Sequence, residues 1–225
     1  MRGFYILHLV TGVILIAVLV AFFNLREDTT GSSGTIGSVS AGGSVVRSTM
    51  LPRSNPEPLT FTNHLGEPVS ELDFRGSHSL VFFGYSSCPD VCPGNLVAMS
   101  TALTMLAEDA EQVRPIFISF DPDHDTPEVL KNYVSHFHPR LIGLTGTHAE
   151  IEAATQAYGV FFERNDGSDP STGGGAISHT SNTILVAPDG RALSIFRHNT
   201  KPGEMAAVIR NALQMGQDRN EAALP

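Results

Sequence analysis

The sequence predicts an α/β domain, a central mixed β-sheet flanked by helices, preceded by one N-terminal transmembrane helix. Three observations carry that expectation. Apolar, β-branched runs alternate with stretches of helical spacing through the body of the chain; a hairpin signal and a closing helix follow; and an uncharged apolar stretch opens the sequence.

That opening stretch, Phe4 to Phe23, reads FYILHLVTGVILIAVLVAFF and contains no formal charge. It has the length a helix needs to cross a bilayer core of roughly 30 Å. It exceeds a usual signal-peptide core and no A-x-A site follows closely, so residues 1–23 are expected to form an uncleaved anchor rather than a removed leader. No cysteine lies near its end, which argues against a lipoprotein signal. Arg2 on one side, against Arg26 offset by Glu27 and Asp28 on the other, gives a positive-inside bias. The bulk of the chain is therefore expected on the extracytoplasmic side, at the periplasmic face of a bacterial inner membrane. Residues 24–55 are rich in Gly and Ser and read as a flexible linker; the folded domain is expected over 56–216, with a polar tail over 217–225.

Within the domain, Ser79 to Tyr85 (SLVFFGY) and Pro115 to Phe120 (PIFISF) read as buried central strands. Between them, Pro93 to Glu111 places Leu96, Met99, Leu103 and Leu106 at helical spacing, and Pro127 to Phe137 does the same with Val129, Tyr133 and Phe137. Leu141 to Leu144 suggests another strand and Ala149 to Tyr158 another helix. Thr183 to Ala187 and Ala192 to Phe196 read as a hairpin across Pro188, Asp189 and Gly190, and a last helix spans Pro202 to Met215. This order suggests an α/β sandwich of the thioredoxin type.

The chain has 225 residues, a formal net charge of −9 and no Lys/Arg-rich run, so the footprint of a nucleic-acid binder is missing. Its two cysteines stand four residues apart. Such a pair is not the framework of a disulfide-stapled miniature fold. The segment GYSSCPDVCP places Cys88 just beyond a strand and Cys92 one helical turn later, where free N–H groups and the helix dipole favour thiolate and lower a thiol pKa. Two thiolates there can form a disulfide or chelate a soft ion such as Cu(I), and spacing alone leaves both open.

Most of the nine histidines fall in polar loops or beside helices and read as surface residues, while His8 falls in the apolar span. His179 differs: it ends the Gly-rich stretch DGSDPSTGGGAIS and precedes the strand TSNTILVA. Whether it is a ligand or a surface residue stays open from the residues alone. The block DPDHDTPE follows a strand. Asp125 or Thr126 is expected to cap the next helix, with Glu128 closing a capping box, and Asp121 is either structural or a neighbour of the site.

GYSSCPDVCP, FDPDHDTPEVLKNY from Phe120, IGLTG from Ile142 and HTSNTILVAPDG from His179 together resemble the Sco/SenC family, in its order and spacing, over roughly Pro58 to Leu213. The resemblance implies a thioredoxin-like copper-binding protein, anchored by one helix, that helps assemble the dinuclear copper centre of cytochrome c oxidase. It implies that Cys88, Cys92 and His179 ligate copper, as Cu(I) or Cu(II). The implied partners are the oxidase's copper-centre subunit, other copper chaperones and thioredoxin-like reductants. Three positions depart from the family's usual pattern: His124 where arginine is common, Ser178 where aspartate often precedes the ligand, and Thr183 where tyrosine is frequent. The competing reading is a membrane-anchored thiol-disulfide oxidoreductase in which Cys88 attacks and Cys92 resolves, acting on the oxidase's copper-ligand cysteines. A thiol peroxidase of the same fold class is less well supported, since no polar group near Cys88 in the sequence reads as its activator.

Overall fold

The structure, a computed structural model, describes residues 57–164 and 177–222 together with the short strand Val45–Val46. The expected anchor and most of the linker lie outside the described residues, and among the described residues no helix is long and apolar enough to cross a membrane.

Ten strands and four α-helices are described. In chain order they are β1 (Val45–Val46), β2 (Thr60–Asn63), β3 (Pro68–Ser70), β4 (His78–Gly84), α1 (Val91–Leu106), β5 (Val113–Ser119), α2 (Pro127–Val134), β6 (Ile142–Thr145), α3 (His148–Tyr158), β7 (Phe162–Arg164), β8 (Ile177–His179), β9 (Thr183–Val186), β10 (Ala192–Phe196) and α4 (Pro202–Ala222). Eight strands form one mixed sheet in the order β1-β10-β9-β4-β5-β6-β2-β3, and β7 pairs with β8 in a separate two-stranded ribbon. The pairs β4/β5 and β5/β6 are parallel, whereas β9 runs antiparallel to β4.

The sheet is mixed because its connections differ in length: helical crossovers link β4, β5 and β6, whereas the short turn through Pro188 and Asp189 can only reverse the chain. The central strands are apolar on both sides because both faces are covered. On one face Phe82 meets Phe117 at 6.2 Å between ring centroids, and Tyr133 of α2 lies on Phe117 at 5.4 Å. Gly143 approaches Leu130 and Val134 of α2 on that face. On the other face Phe83 packs on Tyr158 of α3 at 5.3 Å. A groove of about 260 Å³ also lies on that second face, lined by Val81, Ile116, Ile184 and Arg75 among others, and does not reach the cysteines. Helix α4 packs on α1. The result is the expected thioredoxin-like sandwich, with β2 and β3 at one edge of the sheet and β1 at the opposite edge, beyond the elements read from sequence.

Element ends shift from expectation for local reasons. Helix α1 stops at Leu106, where the chain tightens into a 3-10 turn, Ala107–Gln112, and Ala107 takes a positive φ of 54°. Helix α2 ends at Val134 rather than at Phe137, and α4 continues past Met215 to Ala222.

Candidate metal centre

Strand β4 ends on Gly84, and the backbone there has no room for a side chain. A Cβ would lie 2.9 Å from Cys92 Sγ and 2.9 Å from Phe117 Cε2. The glycine lets the strand run directly beneath the next helix. After Tyr85 the chain turns, with the Cys88 N–H donating to the Tyr85 carbonyl at 3.3 Å. Cys88 is half-buried in that loop, and Cys92, in the first turn of α1, is 0% exposed. Pro93 follows without cost, because N–H groups of the first turn have no intrahelical acceptor. The Cys92 N–H, one of those free donors, points at Cys88 Sγ from 3.4 Å.

One expectation is corrected. A helix start was expected to lower a thiol pKa, yet burial pushes the Cys92 thiol far up. Loss of hydration around a thiolate outweighs the hydrogen bond from the Tyr85 backbone, and the neighbouring Cys88 and the Asp125 charge raise it further. In the absence of a cation, Cys92 is a neutral thiol.

The third donor comes from the small ribbon. β7 and β8 are antiparallel with His179 opposite Phe162, and Thr180 closes the junction by donating its N–H to the Phe161 carbonyl at 2.9 Å. The ring of His179 enters an aromatic niche, 4.9 Å from Phe120, 6.1 Å from Tyr85 and 6.4 Å from Phe82 between centroids. Phe120 in turn stacks on Phe162 at 5.1 Å and 7°. Nδ1 of His179 sits 3.1 Å from the Thr180 carbonyl, so Nδ1 carries the proton and Nε2 keeps its lone pair. Burial lowers the His179 pKa from its ordinary value, and the Thr180 carbonyl opposes this in part.

Nε2 lies 3.6 Å from Cys92 Sγ, and one ligand atom from each of Cys88, Cys92 and His179 falls within 4.8 Å of the others. Metal–sulfur and metal–nitrogen bonds of about 2.0–2.3 Å place the ligands of a trigonal ion roughly 3.5–4 Å apart. The three donors fit such an ion after a small inward movement, and two sulfurs with one imidazole suit a soft cation. Among the described residues this is the one cluster of three or more such groups.

The other candidates lie elsewhere. His124 is exposed and outside the cluster, and His148 pairs with Asp123 at 2.9 Å on the surface. His78, read from sequence as a loop residue, begins β4 and is buried. Asp121 closes a turn with its backbone: its N–H donates to Ser119 Oγ at 3.0 Å, and its carbonyl accepts from the N–H groups of His124 and Asp125 at 3.1 and 2.8 Å. Thr126 caps α2, accepting from the Val129 N–H at 3.4 Å, and no capping box forms, because Glu128 stands one position short of the residue that would reach back. Asp125 does not cap the helix. It turns inward, fully buried, toward Ser86 and Ser119. Thr183 is buried in β9, paired with Phe82 and Phe196, and the side chain of Ser178 lies outside the described residues.

Two residues that the sequence did not single out also brace the site. Asn95 of α1, buried, donates to the Ser181 carbonyl at 3.3 Å and so ties the helix to the segment just after His179. Phe120 forms one wall of the niche. Their partners are distant in sequence, so no local pattern marks them.

Fold and site together define a class: a thioredoxin-like domain in which two thiols at a helix start meet an imidazole brought in by a separate ribbon. Within that class, the chain belongs to the SCO1/SenC family, whose model matches residues 51–214. It is 37% identical over 154 residues to the human mitochondrial SCO1 homologue, covering 68% of this chain and half, 50%, of the human protein's length. Among solved structures it is similar to Bradyrhizobium japonicum ScoI with copper bound, at 39% identity and a TM-score of 0.63, covering 69% of this chain and 97% of that one. It is also similar to BsSco, in which a disulfide switch has been identified and which is described as a member of the Sco family of cytochrome c oxidase assembly proteins. That match has 27% identity and a TM-score of 0.57, over 69% of this chain and 91% of the other.

Proposed function

We propose that this protein is a copper metallochaperone that holds copper through Cys88, Cys92 and His179 and serves assembly of the dinuclear copper centre of cytochrome c oxidase. The observation that carries the reading is the convergence of those three donors within 4.8 Å, with the His179 tautomer set by Thr180 so that Nε2 faces the sulfurs. The copper-bound relative of the same fold supports the choice of ion. Two thiolates and a neutral imidazole suit Cu(I) as cargo. Half-exposed Cys88 and the ribbon-borne His179 are the donors an incoming ligand reaches first, whereas Cys92 lies beneath them. The partner in this reading is the oxidase's copper-centre subunit, with other copper chaperones as sources of the ion. The domain works outside the cytoplasm behind the N-terminal anchor, its boundaries near 56 and 216.

Anaerobic titration of the reduced protein with Cu(I) against a chromophoric competitor tests this. One tightly held ion per chain is expected, weakened by His179→Ala and abolished by either Cys→Ser change. An affinity indifferent to all three changes would sink the reading.

A second activity draws support from the same sulfurs: both cysteines are free and Cys88 is partly accessible. In this reading Cys88 attacks a disulfide of the oxidase's copper-ligand cysteines and Cys92 resolves the mixed disulfide, with thioredoxin-like reductants restoring the pair. Here His179→Ala leaves reductase turnover largely intact.

A further inference from the structure

Asp125 is buried to 0% exposure, and its carboxylate is fully engaged. Oδ2 accepts from the Ser86 N–H at 2.9 Å and from the Ser119 hydroxyl at 2.5 Å, while Oδ1 accepts from the Ser86 hydroxyl. Burying a carboxylate is costly unless its oxygens are satisfied, so a position like this one calls for a reason. Helix capping is not that reason, since Thr126 caps α2.

What the carboxylate holds is the loop that carries Cys88. Ser86, two positions before Cys88, is gripped by both its backbone and its side chain, from a residue 39 positions further along the chain. Ser119, the other partner, ends β5 opposite Gly84, the last residue of β4. The Asp125 side chain is itself aimed by the turn that its N–H closes on the Asp121 carbonyl at 2.8 Å. Two points at the base of the cysteine loop are thus fixed: Gly84 by the sheet and Ser86 by this carboxylate. Cys92 is fixed separately, by burial in α1.

We infer that Asp125 is a positioning residue of the thiol site, whose carboxylate fixes Ser86 and thereby holds Cys88 against Cys92. This deepens the proposed function and rests on the reading that the two cysteines work as a pair, in metal binding or in exchange. With the carboxylate's charge or the Ser86 hydroxyl removed, the charge-assisted hydroxyl bond of the clamp is lost, the loop relaxes, and the effective concentration of Cys88 at Cys92 falls.

The consequence is measurable without any metal. Oxidised dithiothreitol takes two electrons and two protons from the Cys88/Cys92 dithiol, forming the intramolecular disulfide and reduced dithiothreitol. The equilibrium constant of that exchange reports how well the sulfurs are pre-positioned. Asp125→Asn and Ser86→Ala in the full-length reduced protein should each lower it about tenfold, equivalent to roughly 30 mV in the pair's potential. The double variant should fall no further than Asp125→Asn alone, because both changes release one clamp. The proposal is overturned if the exchange constant stays within twofold of the parent while the urea midpoint drops, because Asp125 would then only brace the fold. Should Asp125→Asn fail to fold, Ser86→Ala carries the test. An absence of copper binding would leave this result untouched.

Discussion

Cys92 Sγ and His179 Nε2 stand 3.6 Å apart, although 87 positions separate them in the chain. The sulfur belongs to a helix packed on the main sheet and the nitrogen to a ribbon outside it, and they meet in a niche walled by Phe82, Tyr85 and Phe120. A dry wall of this kind keeps the imidazole neutral and the Cys92 thiol protonated until a cation arrives. The chemistry expected of the protein follows from that pairing.

In the proposed role, loading with Cu(I) would expel the Cys92 proton, because thiolate is the ligating form. The apparent affinity should therefore rise about tenfold per pH unit between about pH 6 and pH 8 for each proton displaced. Competition titrations across that range measure the slope. A flat profile would mean that no thiol proton leaves on binding.

The metal-free protein carries a separate pH signature. The folded-state pKa of His179 lies below its unfolded value of about 6.5, so the unfolded chain binds the proton more readily. The contribution to stability is present above that value and is lost as pH falls through the folded pKa. Urea midpoints of the parent and of His179→Ala should converge on acidification below about pH 6.5. Parallel profiles would contradict the burial assigned to this ring.

Gly84→Ala tests the close approach under the helix. Its Cβ would be driven to 2.9 Å from both Cys92 Sγ and the Phe117 ring, and neither neighbour is the free end of a flexible chain. Overpacking of this kind costs about 1–3 kcal/mol. Both the urea midpoint and Cu(I) binding should suffer, since the displaced atom is itself a donor. An unchanged midpoint and affinity would contradict the tight approach of Gly84 to Cys92 and Phe117.

The Tyr133 hydroxyl is buried without a hydrogen-bond partner, while its ring packs on Phe117 and on Phe137 at 5.4 and 5.1 Å. Tyr133→Phe keeps the ring contacts and removes the unpaired group. A gain of about 1 kcal/mol in unfolding free energy is expected. A loss instead would reveal a partner for that oxygen in solution.

The cysteine pair, the two central strands and the three helices of the sandwich that follow β4, β5 and β6 were legible because each rests on a local signal: apolar runs, helical spacing, or two sulfurs one turn apart. The ribbon was not. Its strands are three residues long on each side, Phe162–Arg164 and Ile177–His179, too short for alternation to register. Physical reading of the sequence therefore left His179 undecided, and the family resemblance supplied its role. Asp125 misled for the opposite reason. DHDTPE carries a strong capping pattern, which Thr126 satisfies, and nothing nearby announces that Asp125 bonds a serine 39 positions earlier. The thiol pKa went astray because a dipole argument sees the helix end and not the 0% exposure of Cys92.

The two-sheet construction has an evolutionary corollary. The sulfurs are tied to the large sheet, where a shift of register would disrupt the whole core, whereas the imidazole rides on a two-stranded appendage whose ends are joined by the residues between Arg164 and Ile177. Doubling such a connection costs only about 0.6 kcal/mol in closure entropy. Insertions there can reposition the imidazole while the spacing of the sulfurs is inherited unchanged, so the third corner of the cluster can be adjusted without rebuilding the domain that holds the other two.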